Sequence, residues 1–108
     1  MANTFKFKGV ALATGSETAL LTAASDEAII IKSIRVTNNT SNTPTLSFDV
    51  SDSSASAEYT ILKTQTLAAN TGVEILSVPL VLEASDALKA TVSSSDSVHF
   101  GISYMSVT

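Results

Sequence analysis

The stretch Ala28-Ile29-Ile30-Ile31-Lys32-Ser33-Ile34-Arg35-Val36-Thr37-Asn38 decides the fold. It opens with an unbroken apolar run, Ile29 to Ile31. It then alternates, with Ile34 and Val36 set against Ser33, Arg35 and Thr37. Period-two alternation marks a strand with one buried face. A continuous β-branched run marks one covered on both faces. The segment reads as a long central strand, doubly covered at its start and half-covered at its end. Asn38 to Pro44 follows as a loop, since Asn, Thr, Ser and Pro all favour turns.

The same alternation extends outward in both directions. Leu46, Phe48 and Val50 form an inward face, with Ser47, Asp49 and Ser51 outside. Glu58 to Thr66 sets Tyr59, Ile61 and Lys63 opposite Leu62. Leu88, Ala90 and Val92 alternate with Lys89, Thr91 and Ser93. Val98, Phe100, Ile102 and Tyr104 close the chain. Upstream, Phe5-Lys6-Phe7-Lys8 alternates apolar and charged, which predicts that both phenylalanines point inward. Gly9 stands where the pattern moves to Val10 and Leu12, and a glycine at such a place predicts a bulge or bend. Thr18 to Ala23 is a short second strand. Val73 to Leu82 is a strand broken near Pro79, which donates no ladder hydrogen bond and belongs at an edge or a crossing point between sheets.

These are eight or nine short strands at regular spacing, and no segment has a helical period. The expectation is an all-β fold, a single antiparallel β-sandwich domain spanning residues 1–108, either jelly-roll or immunoglobulin-like. An immunoglobulin domain proper carries a Cys and Trp signature, and the chain has neither residue type. Two short echoes occur, Gly15-Ser16-Glu17 with Gly72-Val73-Glu74 and Ala24-Ser25-Asp26 with Ala84-Ser85-Asp86. Their offsets differ, which fits chance similarity in an Ala- and Ser-rich chain better than duplication.

Composition narrows the function. The chain has 108 residues, of which 44% are hydrophobic and only 15% charged, with 17 Ser and 14 Thr filling the balance. That is too apolar for disorder. The formal charge of −4 disfavours a nucleic-acid binder, which needs Lys and Arg to neutralise phosphate. Without cysteine there is no disulfide framework, thiolate zinc site or cysteine nucleophile. No run is long enough to span a bilayer, and Met1-Ala2-Asn3-Thr4 lacks the basic and apolar regions of a signal peptide. The overlapping sequons at Asn38 and Asn39 are therefore read as loop residues.

No catalytic set emerges, so the chain is expected not to be an enzyme and to need no cofactor or metal. His99 is the sole histidine and is read as a surface or interface residue, because no serine lies in a nucleophile-elbow sequence. Asp49 and Asp52 lie near each other and Asp86 and Asp96 each sit at a turn; none shows calcium-loop spacing, and turn aspartates normally cap their own backbone. Nothing places Glu17 beside Glu74 or Glu83 as a glycosidase pair. Tyr59 and Tyr104 read as core rather than as sugar-stacking rings. Arg35 is the only arginine, either a solvated outward charge or an interface anchor. Lys6 and Lys8 either protect a sheet edge or dock on an acidic partner.

Ile31 to Asn38, Leu67-Ala68-Ala69-Asn70-Thr71, Pro79 to Ala90 and Ile102-Ser103-Tyr104-Met105-Ser106-Val107 together resemble small β-sandwich virion proteins of tailed bacteriophages. The likeness runs from about Glu17 onward. Where related chains have a Pro-Ala-Gly turn before the long strand, this one has Ala23 to Asp26. The resemblance implies a structural virion protein assembled in the host cytoplasm. Most concretely it implies a decoration or cement protein bound between subunits of the major capsid protein. A neck, collar or tail-fibre accessory protein is the alternative. It also implies a homo-oligomer, trimeric or hexameric. The candidate contact residues are Phe5, Lys6, Phe7 and Lys8 on the first strand, Arg35, and Asn38, Asn39 and Thr40 in the loop. A carbohydrate-binding or adhesive module is the reading from a different class.

Overall fold

A computed structural model describes residues 2–108, so Met1 lies outside the described residues. Nine strands form: β1 (Asn3–Leu12), β2 (Thr18–Thr22), β3 (Ala28–Asn38), β4 (Thr45–Asp52), β5 (Ala57–Thr66), β6 (Gly72–Glu74), β7 (Leu80–Leu82), β8 (Ala87–Val92) and β9 (Val98–Val107). They pair antiparallel in two sheets. The first sheet runs β1-β9-β3-β6, with β7 also on β3, and the second runs β2-β8-β4-β5. The short strands β6 and β7 are two pieces of one interrupted edge strand. Counted so, the pairings nest: β1 with β9, β2 with β8, β3 with β6 and β7, β4 with β5. A long antiparallel ribbon rolled so that successive pairs alternate between two sheets is a jelly roll. The immunoglobulin order is a different one, so the topology settles the choice the sequence left open.

The core lies between the sheets. Ile29, Ile31, Ile34, Val36, Phe100 and Ile102 enter it from the first sheet, and Leu46, Phe48, Leu88 and Val92 from the second. Phe48 and Phe100 meet edge to face across the gap, centroids 6.0 Å apart at 74°, the arrangement ring quadrupoles favour. The accessible surface is 5640 Å², close to the roughly 5,700 Å² expected of a folded chain this size.

Three sequence expectations are corrected. No bulge occurs at Gly9, because β1 pairs β9 without a shift from Asn3↔Val107 to Leu12↔Val98. Leu12 is buried and Val10 half-buried. Counting back by twos then puts Lys8 and Lys6 on the core side and Phe7 and Phe5 on the outer side. Phe5 and Phe7 accordingly lie outside the core, 77% and 70% exposed. The bulge in this sheet falls in β3 instead, between Ile31 and Ser33. Second, Ile30 is only half-buried, so the Ile29–Ile31 run is not covered on both faces. Third, Tyr59 is 55% exposed rather than core, whereas Tyr104 packs against the core as expected. Pro79 lies between β6 and β7, on the sheet edge.

The β3 bulge is held by a carboxylate. Glu74 accepts hydrogen bonds from Ser33 Oγ at 2.5 Å, Ile34 N at 2.8 Å and Leu76 N at 3.2 Å. Partial burial pushes its carboxyl up, but these bonds and the nearby Arg35 outweigh it and hold the group below its ordinary value.

Candidate functional site

The outer face of the first sheet holds three of the eight candidate residues, Phe5, Phe7 and Arg35. Register places Phe5 opposite Met105, Met105 opposite Ile30 and Ile30 opposite Val81. These four side chains make one apolar row crossing β1, β9, β3 and β7 on the solvent side. Val81 is 56% exposed at one end, Phe5 more so at the other. Outward positions of a half-buried sheet are ordinarily polar, so an in-register apolar row there marks a candidate contact surface.

Beside the row lies an open groove of about 570 Å³. Gly9 and Gly101 pair across β1 and β9 and form its floor. Phe7 leans over that floor. A Cβ built on Gly101 would sit 3.2 and 3.3 Å from two atoms of the Phe7 ring. The missing side chain at Gly101 leaves room for the ring against the backbone, although Phe7 stays 70% exposed. Arg35, Thr37 and His99 line the far side. Thr37 pairs with His99 and Arg35 with Gly101, so all three project from neighbouring register positions.

Lys6 and Lys8 project from the other face of β1 and are exposed. Lys6 lies close enough to Glu27 to help hold that carboxyl below its ordinary value. The larger causes are hydrogen bonds from Ser106 Oγ and from Ala24 N. Charged side chains on the inward side of an edge strand discourage strand-to-strand aggregation.

Asn38, Asn39 and Thr40 are placed differently from the expectation. Asn38 is the last residue of β3 and fully buried, so it offers nothing to a partner. Its Nδ2 donates to Asn42 O at 2.8 Å, Ala68 O at 3.2 Å and Leu67 O at 3.4 Å. Its Oδ1 accepts from Thr40 Oγ1 at 2.8 Å and Thr40 N at 3.0 Å. Asn38 therefore ties the loop after β3 to the loop after β5. Thr40 is half-buried by the same contacts and Asn39 is exposed.

A second apolar feature sits at the opposite edge of the sandwich. Where β6 gives way to β7 the sheet is interrupted, and β5 has no complete partner layer. An apolar slot of about 240 Å³ opens between them, lined chiefly by Ile61, Leu62, Ile75, Leu76, Val78 and Leu80, with Phe48 at its base. Val78 is 68% and Ile61 41% exposed at its mouth.

Turn hydrogen bonds engage Asp52, Asp86 and Asp96, and a salt bridge engages Glu58. Asp86 is buried and accepts from Ser53 N at 2.9 Å and Glu83 N at 3.0 Å. Asp96 accepts from Ser94 Oγ at 2.7 Å and Asn42 Nδ2 at 2.9 Å, which holds it below its ordinary value. Asp52 accepts from Ser54 Oγ at 2.9 Å. Oxygens of Asp52, Glu83 and Asp86 lie within 4.8 Å of one another, as do those of Glu17, Asp49 and Glu58. In the second group Glu58 pairs with Lys89 at 3.4 Å. Desolvation and the neighbouring Asp49 and Glu58 push the Glu17 carboxyl up.

The sequence reading missed Met105, Ile30 and Val81 in the row and Val78 and Ile61 at the slot. The available signal was Ile29-Ile30-Ile31, since alternation forces one of three consecutive strand residues to the opposite face.

No protein-family model matches the chain, and no curated protein is similar to it. Solved structures do match in fold. A chain in the structure of infectious bursal disease virus, Gx strain, superposes with a TM-score of 0.59 at 13% identity, covering 96% of this chain and 32% of the viral one. The nucleoplasmin-like N-terminal domain of Drosophila FKBP39 superposes at 0.52 and 17% identity, covering 93% and 87%. A Clostridium thermocellum xylanase 10B fragment with CBM22-1 and GH10 modules, complexed with xylohexaose, superposes at 0.51 and 17% identity, covering 98% and 25%. The chain thus spans about a third of the viral chain and a quarter of the xylanase chain. At these identities the likeness is one of fold: a β-sandwich that also occurs in a virus structure. Among the described residues no helix is long and apolar enough to cross a membrane.

Proposed function

We propose that the protein is a structural, non-catalytic component of a virus particle, most concretely a decoration protein that binds between subunits of a tailed-phage capsid. The observation that carries this reading is the in-register row Phe5–Met105–Ile30–Val81 on the solvent face of a jelly-roll sheet. Such a face gains stability by being covered. The fold shared with a chain of infectious bursal disease virus supports the reading. The mechanism is geometric. Each bound copy adds interface to the assembled shell and stabilises it over its free subunits by mass action. Quantitative mass spectrometry of purified particles, normalised to the major capsid protein, tests it. One copy for every few capsid subunits supports decoration. A few copies per particle move the protein to the neck or tail. Absence from the particle refutes both.

The groove favours a second reading, a carbohydrate-binding or adhesive module. It sets the Phe7 ring beside Arg35, Thr37 and His99, and sugars are held by an aromatic face with polar partners. Glycan-array binding that Phe7→Ala abolishes, together with absence from particles, would put this reading first.

A further inference from the structure

We propose that the groove over Gly9 and Gly101 binds a carboxylated sugar, a uronic acid residue of an acidic polysaccharide, with its ring against Phe7 and its carboxylate on Arg35. The inference rests on the sugar-binding reading above and names its ligand class. It holds whether or not the chain resides on a particle. Three observations carry it.

The first is a local reversal of charge. The chain carries ten acidic residues against six basic ones, a net charge of −4. Its only arginine, Arg35, and its only histidine, His99, both line this groove, and no Asp or Glu does. A recess with a cation and no acid, on a chain that is acidic overall, favours an anion locally.

The second is that Arg35 is available. Among the described residues the salt bridge that forms joins Lys89 to Glu58. Glu74 stands opposite Arg35 in register but forms no ion pair with it, because its oxygens accept from Ser33 Oγ, Ile34 N and Leu76 N. Arg35 is exposed. Its planar guanidinium matches a carboxylate through two parallel hydrogen bonds. Thr37 and His99 occupy the next outward register position and supply hydroxyl and ring-nitrogen partners for sugar hydroxyls.

The third is the floor. Gly9, Gly101 and Arg35 form one cross-strand row, about 10 Å from β1 to β3 at the usual strand spacing. Neither glycine has a positive φ, and the β1–β9 register is unbroken through both. Neither backbone conformation nor a bulge therefore calls for glycine, and the remaining use of glycine inside a strand is to let another group approach the backbone closely. At Gly101 the Phe7 ring takes up that room, since a Cβ there would lie 3.2 Å from it. At Gly9 the nearest atom to such a Cβ is 3.6 Å away, an ordinary contact, so the chain itself does not need the space. A sugar ring laid over this floor meets the exposed Phe7 on one side and Arg35 at the end of the row.

Isothermal titration of the purified full-length chain with oligogalacturonate, and with the same oligosaccharide as its methyl ester, tests the proposal. The ester keeps the sugar ring and removes the charge. The acid form is expected to bind about tenfold tighter or more, the difference a charge-assisted bidentate pair makes. Arg35→Gln should bring the two affinities together, and Phe7→Ala should weaken both alike. Gly9→Val, a residue strands accommodate, should block both by filling the floor. Lys63→Gln, on the second sheet, should change neither. All four positions are exposed, so circular dichroism should show the β-sheet signal unchanged. Equal affinity for acid and ester in the wild type overturns this inference and leaves the sugar-binding reading standing. Acid binding that Lys63→Gln weakens as much as Arg35→Gln, and that Phe7→Ala leaves alone, is general attraction and overturns it too. No binding of either form up to millimolar concentration also overturns it, while the glycan array decides the wider sugar-binding reading on its own.

Discussion

Replacing Asn38 with alanine should loosen one whole end of the sandwich. The side chain is fully buried and makes five hydrogen bonds, three donated to the carbonyls of Asn42, Leu67 and Ala68 and two accepted from Thr40. The bond to Leu67 O, at 3.4 Å, is the weakest. Four good bonds at about 1 kcal/mol net each set an upper figure of about 4 kcal/mol. Water can reach part of the Thr40 and Asn42 side after truncation, which lowers the expectation to about 3 kcal/mol. A native domain has only about 5–15 kcal/mol in all. At roughly 4–8 °C per kcal/mol for a domain near this size, the melting midpoint should fall by about 12–24 °C. Urea denaturation and thermal melting measure it directly. Hydrogen exchange gives a local readout. The amide of Asn70, which donates to Thr40 O at 2.9 Å, and that of Asn39, which donates to Ser97 O at 3.0 Å, should lose protection before the core strands do. A double-mutant cycle with Thr40→Val should show strong coupling, since the two residues share a bond. A loss under about 1 kcal/mol, with Asn70 and Asn39 still protected, would refute the reasoning by showing that water replaces the side chain at no cost.

Other outcomes follow from single features. Thr64 holds φ at 58° within β5, a left-handed conformation that a β-branched residue adopts only under constraint; Thr64→Gly should raise stability by about 0.5–1 kcal/mol in urea melts. Phe48→Ala removes one ring of the inter-sheet pair and should cost about 3–5 kcal/mol. Glu27, Glu74 and Asp96 all titrate below their ordinary values. The unfolded chain therefore binds their protons first, and the stability they contribute is complete above the ordinary carboxylate range and lost as pH falls through and below it. Urea midpoints measured from pH 7 down to pH 3 should decline, and Glu74→Gln should flatten that decline rather than merely shift it.

Alternation read along the chain identified the strands of both sheets, because period two is a property of the strand alone. It left the topology open, since strand order depends on which strands pair across long sequence separations, such as β1 with β9, and no local pattern records that. It also assigned faces by assuming that every large apolar side chain points inward. That assumption holds for Ile34, Val36, Phe48 and Phe100, which fill the gap between the sheets. It fails at Phe5, Phe7, Ile30 and Tyr59. The phase of β1 is set not by its own phenylalanines but by Leu12 and Val10 at its far end, through an unbroken register with β9. The lysines between the phenylalanines then occupy the inward side of an overhanging edge, where charge opposes unwanted strand pairing. The residues misplaced by the inward rule thus fall on the solvent face of the first sheet and on the open edge at β5. Three of those four side chains stand on the outer row or at the rim of its groove, where a rule that maximises burial within one chain does not place them.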